Sequence, residues 1–252
     1  MIVNGACKNK DWDYFNKVKE AEFPNAGNKL QLDYNKANAL IALQGPRAAE
    51  VFQNVLGTSL DLSRMSFLTA KVHHIKKIDA ECMISRCGYT GEDGFEVAVP
   101  EAKAMALAEL FLKEKCGGRE PITKMAGLGC RDTLRLECGM CLYGHELNES
   151  IGPIESQLSW TIGKRRKEEG GFYGYDLVKQ QMGAGTPMRR CGFTTVGMAA
   201  REQTEIFDEK GNKVGHVTSG TYSPTLKKPI GMAYVKVPMH KVRDCSEKID
   251  RN

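Results

Sequence analysis

The sequence predicts an α+β fold of mixed sheets and helices, followed by a small all-β domain. Strand-like and helix-like segments alternate to about residue 150, a pattern typical of α+β or α/β proteins. Glycines and prolines then crowd the stretch 163–187, and short β segments follow from Cys191 onward. We therefore place a domain boundary near Thr186, which gives regions 1–186 and 187–252.

The first region is predicted to open with the tail of a strand and to continue as alternating helices and strands. The predicted order is strand tail 3–7, helix 8–20, strand 39–43, a helix opened by Gly45-Pro46, strands 80–85 and 95–99, and helices 101–115 and 126–138. Apolar residues at helical spacing predict the buried faces. They are Trp12, Phe15 and Val18 in the first helix; Val51, Phe52, Val55 and Leu56 in the second; and Met105, Leu107, Ala108, Leu110 and Phe111 in the third.

The second region is predicted to contain a β-hairpin and a further strand. Segments 205–208 and 213–218 flank the loop 209–212, which carries Gly211 where a tight turn favours glycine. The segment 230–235 is the next apolar run and is predicted to be a strand.

Composition excludes several classes of function. The chain has 252 residues and a net charge of only +5, without the basic, aromatic-rich clusters of nucleic-acid-binding proteins. It has no apolar run long enough for a transmembrane helix. The nine cysteines are odd in number and scattered, which indicates reduced thiols in an intracellular protein. Neither the histidines nor the cysteines have the spacing of a metal site, so none is predicted.

A glycine-rich loop, Arg86 to Glu96, joins two of the predicted strands. After the loop Phe95, Val97 and Val99 alternate with Glu96, so the apolar residues face the core and Glu96 faces the other way. An ionised carboxylate there could accept two N–H donors from a flat ligand. Spacing alone favours the other interpretation, a solvated glutamate on a half-buried strand.

Three other pairs of residues have two interpretations each. Arg131 and Arg135 lie four residues apart on one helix face, where they could bind an anion or pair with nearby acidic residues. Tyr89 and Trp160 are by default core aromatics, yet both have loop-like, glycine-flanked surroundings. Cys138 and Cys141 have redox-pair spacing but follow a helix C-terminus, so we interpret them as buried and without redox function.

Several blocks of sequence resemble the glycine cleavage system T protein, an aminomethyltransferase. The loop Arg86 to Glu96 is similar to the family's characteristic motif. The other matching blocks, in chain order, are Ala42-Leu43-Gln44-Gly45-Pro46, Gly127 to Gly139 (GLGCRDTLRLECG) with Leu142-Tyr143-Gly144, Leu158 to Lys164, Val217-Thr218-Ser219-Gly220, and Ser223-Pro224. The blocks extend through most of the chain.

The resemblance implies a three-domain fold around a central channel, with a small C-terminal β-barrel. It implies transfer of the methylene of an aminomethyl group from the lipoyl arm of the H protein to tetrahydrofolate, with release of ammonia. Glu96 would hold the pterin ring, Arg131 the carboxylate tail of folate, and Tyr89 and Trp160 the flat rings. Arg135 is expected to be structural. Tetrahydrofolate is expected as a substrate and the H protein as a partner, and we expect a monomer that binds neither nucleic acid nor membrane.

The family pattern also includes segments that we do not find. The sequence is expected to lack the N-terminal third, with its catalytic aspartate, and the extreme C-terminus, so no catalytic residue is assigned. The alternative is a catalytically inactive folate-binding homologue or fragment. Relatives in iron–sulfur assembly carry a lysine–glycine motif absent here, and the folate half of a dimethylglycine or sarcosine dehydrogenase would follow a flavin-binding region. The expected location is the mitochondrial matrix, or the cytoplasm if the protein is bacterial.

Overall fold

A computed structural model describes residues 2–117 and 120–239. They form two compact units, which are described separately. The first unit takes its residues from Met1–Gly88 and Glu92–Met125, and the second from Tyr89–Gly91 and Ala126–Asn252. The predicted boundary near Thr186 falls inside the second unit, directly before a strand, and stays a prediction.

The first unit packs helices against one antiparallel sheet. Its elements are α1 (Lys8–Glu22), β1 (Asn38–Gln44), α2 (Ala48–Leu56), β2 (Ala70–Ile75), β3 (Ala80–Ser85), β4 (Gly94–Pro100) and α3 (Glu101–Lys113). The strand order is β1-β4-β3-β2, so β4 lies in the middle of the sheet. The core lies between the inward side of β4 and the buried face of α2. There the centroid of the Phe52 ring lies 5.3 Å from that of Phe95 and 5.2 Å from that of Phe111.

Most of the predicted elements of the first unit are confirmed, and four details are wrong. Residues 3–7 form no strand, and Gly5–Cys7 is a 3₁₀ turn. Pro46 lies before α2 and not in its first turn. The predicted inward residues of α1 are only half-buried. Trp12, for example, packs edge-on against Tyr34 at the surface. Met105 is exposed, because α3 turns only Leu107 and Phe111 fully towards the sheet.

In its described residues, the second unit combines α-helices with a second antiparallel sheet. Its elements are α4 (Leu128–Glu137), α5 (Lys164–Glu169), α6 (Tyr175–Ala184), β5 (Met188–Thr194), β6 (Glu205–Phe207), β7 (Lys213–Ser223) and β8 (Lys228–Lys236). The strand order is β5-β8-β7-β6. The predicted hairpin is confirmed as β6 and β7. In its loop the Asp208 carboxylate accepts hydrogen bonds from the backbone N–H groups of Lys210 and Asn212.

The observed fold is therefore α+β, as predicted. None of the helices in the described ranges is long and apolar enough to cross a membrane.

Candidate functional site

The loop between β3 and β4 is closed at its base by an ion pair. Arg86 donates two hydrogen bonds to Asp93, from Nε at 2.9 Å and from Nη2 at 2.7 Å. Its Nη1 also donates to the carbonyls of Leu62 and Met65. The hydrogen bonds from Arg86 hold the pKa of the Asp93 carboxyl below its usual value. A bidentate arginine–carboxylate pair fixes geometry as well as charge, so the loop enters β4 in a defined direction.

Gln44, at the end of β1, fills the space between the two ends of this loop. Its Nε2 donates to the carbonyl of Cys87 at 3.0 Å and to that of Phe95 at 3.4 Å. A Cβ atom on Gly88 would lie 1.9 Å from the Gln44 amide oxygen, and one on Gly94 would lie 2.5 Å from the same amide. Only glycine at these two positions lets the backbone approach the amide so closely.

Glu96 lies on β4 directly after the loop. Its neighbours across the sheet are Ala42 on β1 and Ser85 on β3. The side chain is half-buried and points away from the core that contains Phe95 and Val97, as the alternation predicted. Burial, and then the nearby Glu96 charge, raise the pKa of the Cys87 thiol. The carboxylate thus lies on the face of β4 opposite to this core.

In the second unit, Tyr89 and Arg131 form a single contact pair. The Arg131 Cζ lies over the Tyr89 ring, 4.7 Å from its centroid, within the range of a cation–π interaction. Tyr89 is half-buried and its hydroxyl donates to the carbonyl of Cys141. Burial raises the pKa of the Tyr89 phenol, so the hydroxyl stays protonated and can donate this bond.

Arg135, one helical turn after Arg131, is the buried anchor of α4. Its Nη1 donates to the Glu146 carboxylate at 2.8 Å, and Nη2 donates to Ser219 Oγ at 2.8 Å. It also contacts Asp132 at 2.7 Å. Arg135 is 1% exposed and Glu146 is fully buried. The prediction that Arg135 is structural is confirmed.

A β-bulge completes the site around Glu146. Thr218 and Ser219 are consecutive, and both donate hydrogen bonds of 2.6 Å to Glu146 Oε1. Consecutive side chains of a regular strand point to opposite faces, but the register of β7 against β8 shifts between Val217 and Ser219. Burial alone would raise the Glu146 pKa. The hydrogen bonds from Ser219, Thr218 and Leu142, together with the Arg135 charge, lower it overall.

An open groove of about 460 Å³ lies beside this buried pair in the second unit. Its wall carries charges of both signs, from Asp132, Arg201 and Glu202. The ring of His145 lies 3.3 Å from the Glu202 carboxylate. Because the charges are mixed, the groove does not favour a ligand of either charge.

Trp160 and the two spaced cysteines differ in their surroundings. Trp160, the middle residue of the 3₁₀ turn Ser159–Thr161, is 73% exposed and so is not a core aromatic. Cys138 is exposed and Cys141 is only half-buried, so the prediction that both are buried is wrong. The Cys138 thiol donates to the Thr90 carbonyl at 3.4 Å, and Gly91 leaves the space that the sulfur occupies. Within the described parts of the chain, no group of three or more His, Cys, Asp or Glu could hold a metal ion.

Two family models match this chain. One is described as the GCVT N-terminal domain and matches residues 1–166; the other is described as the glycine cleavage T-protein C-terminal barrel domain and matches residues 189–248. The chain belongs to the glycine cleavage T-protein family. The resemblance stated from the sequence motifs and the predicted α+β fold with a C-terminal barrel domain are confirmed.

Named relatives agree with this assignment. The chain is 44% identical over 245 residues to the mitochondrial aminomethyltransferase of Dictyostelium discoideum. The match covers 96% of this chain and 60% of that protein. The chain is 44% identical over 241 residues to that of Pisum sativum, covering 96% and 57%. With that of Homo sapiens it shares 42% over 236 residues, covering 93% and 56%. The chain therefore spans little more than half the length of these relatives.

A solved structure of the family is similar in fold. The glycine cleavage system aminomethyltransferase T from Bartonella henselae superposes with a TM-score of 0.69 at 35% identity. The match covers 79% of this chain and 52% of that one.

Of the four predicted site residues, the structure brings two together, Tyr89 and Arg131. Glu96 belongs to the first unit, while Trp160 belongs to the second and stands exposed. Sequence reasoning missed Gln44 and Glu146. Gln44 stood in a motif that matched the family. Glu146 had no local signal, because its partners Thr218 and Ser219 are more than seventy residues away along the chain.

Proposed function

We propose that this chain is an aminomethyltransferase of the glycine cleavage system and carries residues that bind folate. The observation that supports this most is the match of almost the whole chain, at 42–44% identity, to relatives named aminomethyltransferase. Tetrahydrofolate is the proposed acceptor substrate, and an H protein carrying an aminomethyl group on its dihydrolipoyl arm is the proposed partner. N5 and N10 of tetrahydrofolate each form a bond to the methylene carbon, while its bonds to the amino nitrogen and to the lipoyl sulfur break. The two displaced N–H protons go to the amino nitrogen and the sulfur, so the products are ammonia, 5,10-methylenetetrahydrofolate and H protein with its dihydrolipoyl dithiol restored.

The residues of the two units suit the binding of different parts of tetrahydrofolate. In the first unit, Glu96 is a half-buried carboxylate that can accept two N–H donors of the pterin. In the second unit, Arg131 offers a planar set of N–H donors that matches a carboxylate of the glutamate tail. Tyr89 and Trp160 supply flat aromatic surface. In this proposal the protein contributes positioning and electrostatics at the folate nitrogens, and no covalent intermediate forms on the protein.

The proposal is tested with the 252-residue chain, tetrahydrofolate and aminomethyl-loaded H protein. We expect ammonia and 5,10-methylenetetrahydrofolate to appear together, and neither to appear with H protein that carries no aminomethyl group. Tetrahydrofolate binding without ammonia release would favour the alternative of a catalytically inactive folate-binding homologue. No binding of tetrahydrofolate would overturn both.

Location and assembly are further parts of the proposal. The aminomethyltransferases of Dictyostelium discoideum, Pisum sativum and Homo sapiens are named mitochondrial, which supports the mitochondrial matrix for this chain. Cell fractionation with an antibody to the loop Arg86 to Glu96 tests this. We also propose a monomer, for which light scattering should give a mass near 27.9 kDa.

A further inference from the structure

Two arginines on α4 have opposite surroundings. The N–H groups of Arg135 are satisfied by Asp132, Glu146, Met140 and Ser219. Arg131 is exposed, and the hydrogen bonds and ion pairs described for residues 2–117 and 120–239 include none from its guanidinium. The one contact described for that guanidinium is the face of the Tyr89 ring. Its N–H donors are therefore uncommitted among the described residues.

The ring beneath Arg131 is fixed on two sides. The Tyr89 hydroxyl donates to the Cys141 carbonyl, and the next residue, Thr90, is buried and accepts a hydrogen bond from the Cys138 thiol. Cys141, which accepts the first of these bonds, and Cys138, which donates the second, both follow α4 closely in the sequence. The helix itself is anchored by the buried Arg135–Glu146 pair. The Tyr89 ring and the backbone of α4 therefore form one rigid support.

A flexible arginine loses conformational entropy when it binds an anion, and a fixed platform reduces that loss. The face of an aromatic ring holds the guanidinium without using its N–H donors, because the cation–π attraction is between the positive charge and the π electrons of the ring. An acidic partner in the same place would compete with the ligand for these donors.

We infer that Tyr89 is a positioning residue for Arg131: its anchored ring holds the guanidinium so that the N–H donors can receive a carboxylate of the folate tail. This rests on the proposed function and makes it more specific. It replaces the stacking role proposed above for Tyr89: the ring serves the carboxylate end of the ligand, through Arg131, and does not stack on the pterin.

The first test needs no ligand. In solution NMR the side-chain protons of Arg131 should be shifted upfield by the ring current of Tyr89. Tyr89→Phe keeps the ring and should keep the shift, whereas Tyr89→Leu should abolish it. Tyr222→Leu, the same change at an exposed tyrosine of β7, should leave it unaltered. Unshifted Arg131 protons in the wild-type protein, or an upfield shift that survives in Tyr89→Leu, would overturn the inference.

The second test uses two ligands, tetrahydrofolate and its diamide, in which both glutamate carboxylates are carboxamides. Calorimetry should show that Tyr89→Leu weakens tetrahydrofolate binding roughly 3- to 30-fold, the range of a cation–π contact, and leaves diamide binding unchanged. Tyr89→Phe should restore most of the tetrahydrofolate affinity. Equal weakening for both ligands would instead assign Tyr89 to the ring end and overturn the inference. If the wild-type protein bound no tetrahydrofolate, the proposed function would fail, and the ring-current shifts would still decide whether Tyr89 positions Arg131.

Discussion

The guanidinium of Arg135 lies 2.8 Å from the carboxylate of Glu146, and neither side chain reaches solvent to any useful extent. Removing one partner leaves the other charge buried and unpaired. Glu146→Gln should therefore lower the free energy of unfolding by about 3–5 kcal/mol. Urea denaturation followed by circular dichroism measures this. Glu202→Gln, at an exposed position, should change it by less than about 0.5 kcal/mol, and equal stability of the two variants would contradict the expectation.

The same carboxylate makes stability depend on pH. Its pKa is lower in the folded protein than the usual 4.5, so the unfolded chain binds the proton more readily. The contribution of Glu146 is complete above pH 4.5 and is lost as the pH falls through the lower pKa of the folded state. Stability measured between pH 7 and pH 3 should therefore fall less steeply in Glu146→Gln than in the wild-type protein. Parallel curves for the two proteins would show that Glu146 does not titrate in this way.

Gly88 and Gln44 should show coupled effects on stability. A methyl group at residue 88 would overlap the Gln44 amide, so Gly88→Ala should cost about 1–3 kcal/mol. In a Gln44→Ala background the space is free, and the same change should cost clearly less, a coupling that a double-mutant cycle measures. Gly183→Ala in α6 meets nothing within 4 Å and should be neutral or stabilising. Additive effects of Gly88→Ala and Gln44→Ala on stability would exclude the contact.

Glu96→Ala should weaken tetrahydrofolate binding by about 1.5–3 kcal/mol, the scale of hydrogen bonds to a charged group. Glu81→Ala is a matched control, because Glu81 is an exposed glutamate on the adjacent strand β3. Calorimetric titration of both variants gives the comparison. Unchanged affinity in Glu96→Ala would remove Glu96 from the proposed site.

Trp160→Leu should separate binding from stability. An indole that is 73% exposed contributes little to the core, so the free energy of unfolding should change by less than about 0.5 kcal/mol. Loss of an aromatic contact with the folate rings should weaken binding by about 0.5–1.5 kcal/mol. Tyr173→Leu, at a residue 69% exposed, should change neither quantity. A large loss of stability in Trp160→Leu would show a structural role instead.

Periodicity predicted the parts of the fold in which one face meets a core. The alternation through Phe95, Val97 and Val99 and the stripe of α2 are both buried as expected. It failed for Met105, because the apolar residues of α3 surround the helix and only packing against the sheet selects which of them are covered. Tertiary contacts of this kind are not encoded in local spacing.

The candidate site also has parts that the sequence predicted and parts that it did not. Family motifs drew attention to Tyr89, Glu96, Arg131 and Trp160, and the exposure of Trp160 could not have been read from its flanking residues. The support of Arg131 by Tyr89 joins residues 42 positions apart, and Glu146 meets a bulge that no sequence pattern announced. What the sequence could not supply was the pairing of distant polar groups.

The tripeptide Tyr89–Gly91 folds with the second unit, although the residues on both sides of it fold with the first. The chain therefore passes between the units at three places, after Gly88, after Gly91 and after Met125. A chimera that exchanged the second unit at a single junction after Met125 would leave a foreign α4 facing the original tripeptide. A functional chimera of two relatives should thus need Tyr89–Gly91 and the segment after Met125 from the same parent. These three residues are expected to change together with a segment that is distant from them in the sequence.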